Sequence, residues 1–159
     1  MLDKETISYE KAILVGIITQ NQSEEKLNEY LDELQFLTYT AGGEVVKRFK
    51  QKMDKPNPKT FVGTGKLEEI ESYVIENKID TVIFDDELTP AQQKNLSKLL
   101  EAKVLDRTNL ILDIFAQHAL SPEGKILVEL AQLKYLYPRL QGKGIKLSRL
   151  GGGIGTRGP

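Results

Sequence analysis

The chain has 159 residues, 40% of them hydrophobic and 28% charged, and a formal net charge of −1. That balance excludes a disordered polymer, which would be too poor in apolar residues to bury a core, and the absence of cysteine excludes disulfides, thiolate metal sites and cysteine nucleophiles. The lack of cysteine also fits a reducing cytosol, and a cytoplasmic location is expected. The first apolar run, Ala12 to Ile18, is too short to cross a bilayer and follows acidic residues rather than a basic start, so neither a membrane span nor a signal peptide is expected there.

Ala12 to Ile18 is rich in β-branched residues and reads as a strand buried on both faces. Ser23 offers a helix N-cap, and Leu27, Tyr30, Leu31, Leu34 and Leu37 recur at helical spacing until Ala41-Gly42-Gly43 ends the helix. Val45 to Phe49 is a second strand, and Met53 to Lys59, with Pro56 and Pro58, is a loop. Leu67, Ile70, Tyr73 and Val74 mark a second helix, and Thr81 to Phe84 a third strand ending in Asp85-Asp86-Glu87. Thr89-Pro90 opens a helix with a cap and a proline at its first position, with Leu96, Leu99 and Leu100 as its buried face. Lys103 to Leu105 is a fourth strand. Strands alternating with helices of about three turns predict an α/β fold, a small parallel four-stranded sheet flanked by helices. Strand order is not encoded in any local pattern.

After Asp106 no further strand is predicted. Leu110 to Ala119 is an apolar helix, and Ser121-Pro122 caps another. In that helix Ile126, Leu130, Leu133, Tyr137 and Leu140 are spaced as a coiled-coil seam, widened by Leu127, Val128, Ala131 and Leu136. Such a face needs a partner: a further helix of the same protein, or a second copy of the chain forming a dimer. The expected division is an α/β unit over residues 1–106 and a helical unit over residues 107–159.

Charge is distributed unevenly. From Leu130 to the end there are six basic residues (Lys134, Arg139, Lys143, Lys146, Arg149, Arg157) and no acidic one, leaving sixteen basic against twenty-three acidic side chains elsewhere, a net of −7. An acidic body with a basic end suggests a polyanionic partner for that end, against the alternative of a solvated terminal tail, which composition alone slightly favours. The last nineteen residues also contain seven glycines. Glycine permits close backbone approach, and lysine and arginine supply charge for phosphates, a combination suited to a loop entering an RNA-lined cavity.

Other motifs carry less. Gly63-Thr-Gly-Lys66 resembles a phosphate loop, but the position five residues before Gly65 is Thr60 and Leu67 follows the lysine, so the required glycine and the magnesium-ligating hydroxyl are missing. A turn into a helix is expected instead. Lys47, Arg48, Lys50, Lys52, Lys55, Lys59 and Lys66 form either an RNA-backbone patch or a solvated edge strand guarded by lysine, and the second is favoured. Asp85, Asp86 and Glu87 stand where open parallel sheets bind ligands, but without a nearby histidine or cysteine they read as a capped turn. His118, the only histidine, is expected to flank a helix end.

Asp106 to Ala116, Glu123-Gly-Lys125, Val128 to Leu133, Pro138-Arg-Leu140 and Leu147 to Pro159 together resemble the HflX family of ribosome-associated GTPases, as does Phe61 to Glu68, which in that family is a turn into a helix and not a nucleotide loop. The resemblance spans essentially the whole chain. It implies a parallel α/β subdomain, then a long antiparallel helical hairpin whose first arm would run from Ser121 to about Leu140, then a GTPase domain. No catalytic residue, cofactor or metal ligand is expected within these residues. GTP and magnesium would belong to the GTPase domain after Pro159. The family binds the large ribosomal subunit, and some members split stalled ribosomes under stress. The hairpin loop approaches the peptidyl-transferase centre of the ribosomal RNA. Carried over residue by residue, Lys143, Lys146, Arg149 and Arg157 are candidate phosphate-neutralising contacts, and Gly151, Gly152 and Gly153 the points of close backbone approach. Two other functions are compatible with the sequence: a nucleotide-binding domain acting at the sheet's carboxyl edge, and a regulatory domain that restrains the GTPase domain.

Overall fold

The computed structural model describes residues 9–139. Four parallel strands, β1 (Glu10–Ile18), β2 (Gly43–Lys52), β3 (Thr81–Phe84) and β4 (Lys103–Asp106), form one sheet in the order β2-β1-β3-β4. Five helices join and extend them: α1 (Glu24–Thr40), α2 (Thr64–Glu76), α3 (Pro90–Leu99), α4 (Arg107–His118) and α5 (Pro122–Leu136), followed by a 3-10 turn at Tyr137–Arg139. None of these helices is long and apolar enough to cross a membrane.

β1 is central, and its residues Ala12 to Val15 are wholly buried because alternate side chains enter two different cores. Ile13, Val15 and Ile17 pack with Phe49, Val82, Phe84 and Val104 under α2 and α3. Ala12 and Leu14 pack with Ile83 and Leu105 under α1 and α4. Gly16 lets α1 lie close to the sheet: a Cβ there would stand 2.6 Å from Cδ1 of Leu27.

Helix starts follow their local chemistry. Ser23, Thr89, Asp106 and Ser121 each accept a backbone N–H from the first turn of the helix they precede. Thr89 and Gln92 form a reciprocal capping box. α1 ends at Ala41, and Gly42 turns the chain with φ of 100°, a conformation glycine adopts without strain.

One apolar assignment differs from the sequence pattern. Leu99 is 46% exposed, because α3 ends there and the extended Leu100 enters the core in its place. Along α5 and the turn after it, the seam residues Ile126, Leu130 and Tyr137 are exposed and open to a partner, and the buried side chains are Gln132 and Tyr135. Tyr135 is directed inward, its hydroxyl donating to the buried carboxylate of Asp106. Leu140, the last seam position, lies outside the described residues.

Candidate nucleic-acid interface and its anchor

The sheet changes direction between β1 and β3: β2 lies on one side of β1, β3 and β4 on the other. In open parallel sheets the crevice at the carboxyl ends of such strands is where ligands bind. Here the mouth is occupied by protein. Asp85, just beyond β3, is 4% exposed and its Oδ1 lies 2.7 Å from Nη2 of Arg107. The same guanidinium donates to the Glu33 carboxylate at 2.8 Å and to the Tyr30 carbonyl at 2.9 Å on α1. Burial works against the Arg107 charge, but hydrogen bonds and charge from Asp85 and Glu33 overcome it and hold the guanidinium above its ordinary value. Asp86 is raised, first by partial desolvation and then by the Asp85 charge, with Arg107 opposing. Asp85 is thus an ion-pair anchor between the sheet, α1 and α4, a role not expected from the sequence, while Asp86 and Glu87 are exposed on the bend beyond β3. Among the described residues no group of three or more histidine, cysteine, aspartate or glutamate side chains could hold a metal ion.

The segment Gly63–Lys66 is the turn into α2. Gly63 is the N-cap of α2, its N–H donates to Oε1 of Gln51 at 2.9 Å, and Lys66 pairs with Glu69 at 3.1 Å. Much of the basic group around β2 is also engaged. Arg48 bridges Asp32 at 2.7 Å, Lys50 bridges Glu24 at 3.0 Å, and Lys47 stands over the rings of Phe49 and Tyr73. β2 is an edge strand, as the guarded-edge reading requires. His118 is the last residue of α4, its Nδ1 2.9 Å from the Ile114 carbonyl oxygen.

The arrangement that motif reading missed lies where β4 ends. Asp106 is fully buried and accepts three donors: the Leu88 N–H at 2.8 Å, the Asn109 N–H at 2.9 Å and the Tyr135 hydroxyl. Burial, followed by the charge of Asp106 and its hydrogen bond, keeps the Tyr135 phenol protonated by raising it far above its ordinary value. The Arg139 guanidinium lies 3.9 Å from the centre of the Tyr135 ring and donates to the carbonyls of Tyr135 and Leu88. It also stands 3.5 Å from Glu87. Leu88 is therefore held through both its N–H and its carbonyl. Arg139, counted among the basic residues of the chain's end, is an anchor with only 8% of its side chain exposed. The one local signal of this node was Asp106, three residues before Asn109 at a helix start. Lys143, Lys146, Arg149, Gly151, Gly152, Gly153 and Arg157 lie outside the described residues, beginning four positions beyond the anchor.

Family models match the chain in two consecutive stretches, residues 28–116 as a GTP-binding GTPase N-terminal region and residues 118–159 as a GTP-binding GTPase middle region. The chain is 69% identical, over its full length, to the GTPase HflX of Flavobacterium psychrophilum. The chain belongs to the HflX family. It is also 46% identical over 151 residues to the GTPase HflX of Escherichia coli. It spans 38% and 34% of the lengths of these two relatives. A solved structure of a GTP-binding protein from the hyperthermophilic archaeon Sulfolobus solfataricus in complex with GDP is 30% identical, with a TM-score of 0.63 over 83% of this chain and 38% of that one. A solved complex of SsGBP and GDP gives a TM-score of 0.68 at 30% identity, covering 90% of this chain and 41% of that one. The HflX relatives are GTPases by name, and the match falls on their N-terminal and middle regions.

Proposed function

We propose that this HflX chain is the ribosome-binding part of a GTP-hydrolysing, ribosome-associated factor, and that it places a basic, glycine-rich segment against the RNA of the large subunit. Residues 1–106 act as the supporting α/β unit and residues 107–159 as the helical unit that bears the segment. The observation that carries this reading is the separation of charge: every ionised side chain from Leu130 onward is basic, on a chain otherwise at −7. An acidic body is repelled by RNA, so productive contact is confined to the basic end. GTP and magnesium belong to the family's GTPase domain. The exposed apolar residues Ile126, Leu127, Leu130 and Tyr137 form the face for a second hairpin arm. Without that arm the same face draws two copies together.

The test is binding to purified large ribosomal subunits across a salt series. Arg149→Ala and Arg157→Ala should each weaken binding by about 1 kcal/mol and lower the salt slope by about one unit for each phosphate left without its cation. Salt-independent binding, or unchanged affinity in both variants, contradicts the assignment.

A further inference from the structure

We infer that Tyr135 and Arg139 form a latch that fixes where the basic segment leaves the α/β body, and that these are positioning residues rather than RNA contacts. The basis is the convergence of four pieces of chain on one buried carboxylate. Asp106 ends β4, caps α4 through the Asn109 N–H, holds the loop before α3 through the Leu88 N–H, and receives the Tyr135 hydroxyl from the last turn of α5. Arg139 closes the arrangement from above, stacked on the Tyr135 ring and donating to the Leu88 carbonyl. Its charge is turned toward carbonyls, a ring and Glu87 and is largely covered, so it is a poor phosphate ligand and a good clamp.

α5 packs along α4 on one side, but its outer face is open. Its outward residues Ile126, Leu127, Leu130 and Tyr137 are exposed, and of its described side chains only Gln132 and Tyr135 are buried. Four positions separate Arg139 from Lys143, the first candidate RNA contact. A rotation of α5 would redirect the segment, and the latch opposes it together with the packing on α4. The positional role rests on the RNA-binding function proposed for the segment, whereas the latch itself does not.

The test uses the full 159-residue chain with Tyr135→Phe, Arg139→Ala and Arg139→Lys, read by amide hydrogen exchange and by large-subunit binding across salt. Tyr135→Phe deletes only the hydroxyl and leaves Asp106 its two backbone donors, so the sheet should stay folded. The expected result is exchange about tenfold faster over residues 125–139 with the β1 and β3 amides unchanged. Binding should weaken several-fold at an unchanged salt slope, since every phosphate keeps its cation. Arg139→Lys should behave like Arg139→Ala, because an ammonium reproduces neither the stack nor the paired donors. Unchanged exchange in Tyr135→Phe would overturn the latch, as would faster exchange spread through the whole sheet. Rescue of binding by Arg139→Lys, with a lower slope in Arg139→Ala, would make Arg139 an RNA contact instead. If the unaltered chain does not bind subunits, the functional reading fails, and the exchange measurement still decides the latch.

Discussion

Asp113 stands on α4 with 1% of its surface exposed and, among the described residues, no hydrogen-bond donor to either carboxylate oxygen. Burial raises it to about 7, with the charge of Lys103 opposing. A carboxyl that binds its proton more tightly when folded stabilises the fold at low pH, and that contribution is lost as pH rises from the ordinary carboxylate range to about 7. Asp113→Asn should therefore match the parent near pH 4 and be more stable by about 2 kcal/mol at pH 8. Urea denaturation at the two pH values checks this, and a difference that does not grow with pH contradicts it. Gly16 makes the opposite prediction. A methyl group there would meet the buried Leu27, so Gly16→Ala should destabilise by about 1–3 kcal/mol at every pH. An unchanged denaturation midpoint would show that Leu27 moves aside at no cost. Neither residue announces itself in the sequence. Asp113 follows Ile111 and Leu112 like any helix carboxylate, and the crowding at Gly16 comes from a helix eleven residues away.

At the scale of elements, what is local was legible. Three of the four side-chain caps (Ser23, Thr89 and Ser121), the proline opening α3, the glycine closing α1 and all four strands follow from neighbouring residues, whereas the Asp106 cap, which starts α4 at Arg107, three residues before Leu110, was not read. The order β2-β1-β3-β4 and the burial of Tyr135 were not legible, because both are decided by contacts between distant segments. The seam in α5 followed hydrophobicity, whereas Tyr135 lies outside it and its hydroxyl reaches Asp106, 29 positions earlier. The Asp85–Arg107 pair was equally hidden, since its partners are 22 residues apart. The capping box at Thr89 tests how these levels connect, because the loop it follows contains Leu88, bound by both Asp106 and Arg139. Thr89→Ala should cost about 1 kcal/mol in global stability. It should also speed amide exchange in the last turn of α5. A stability loss confined to α3 would mean that the loop and α5 are not coupled.

For the molecule as a whole, the strand order reverses as it does in nucleotide-binding sheets, and the polar groups at the carboxyl edge are engaged with one another. Arg107 is engaged by Asp85, Glu33 and the Tyr30 carbonyl, and Gly63 has committed its N–H to Gln51. Calorimetric titration of the chain with ATP or GTP, with and without magnesium, should give no saturable heat. A stoichiometric signal would revive nucleotide binding at the carboxyl edge. The family was legible because the resemblance ran through long stretches in order, and the candidate RNA contacts rest on that resemblance and on charge. In the proposed division of labour the basic end meets the ribosome and the acidic body supports it. The most direct test is co-sedimentation with purified large subunits, comparing the chain with a variant lacking residues 141–159 whose fold is verified by circular dichroism. Saturable, salt-sensitive binding that disappears with the deletion is predicted, and binding of equal affinity by the shortened chain would contradict that division.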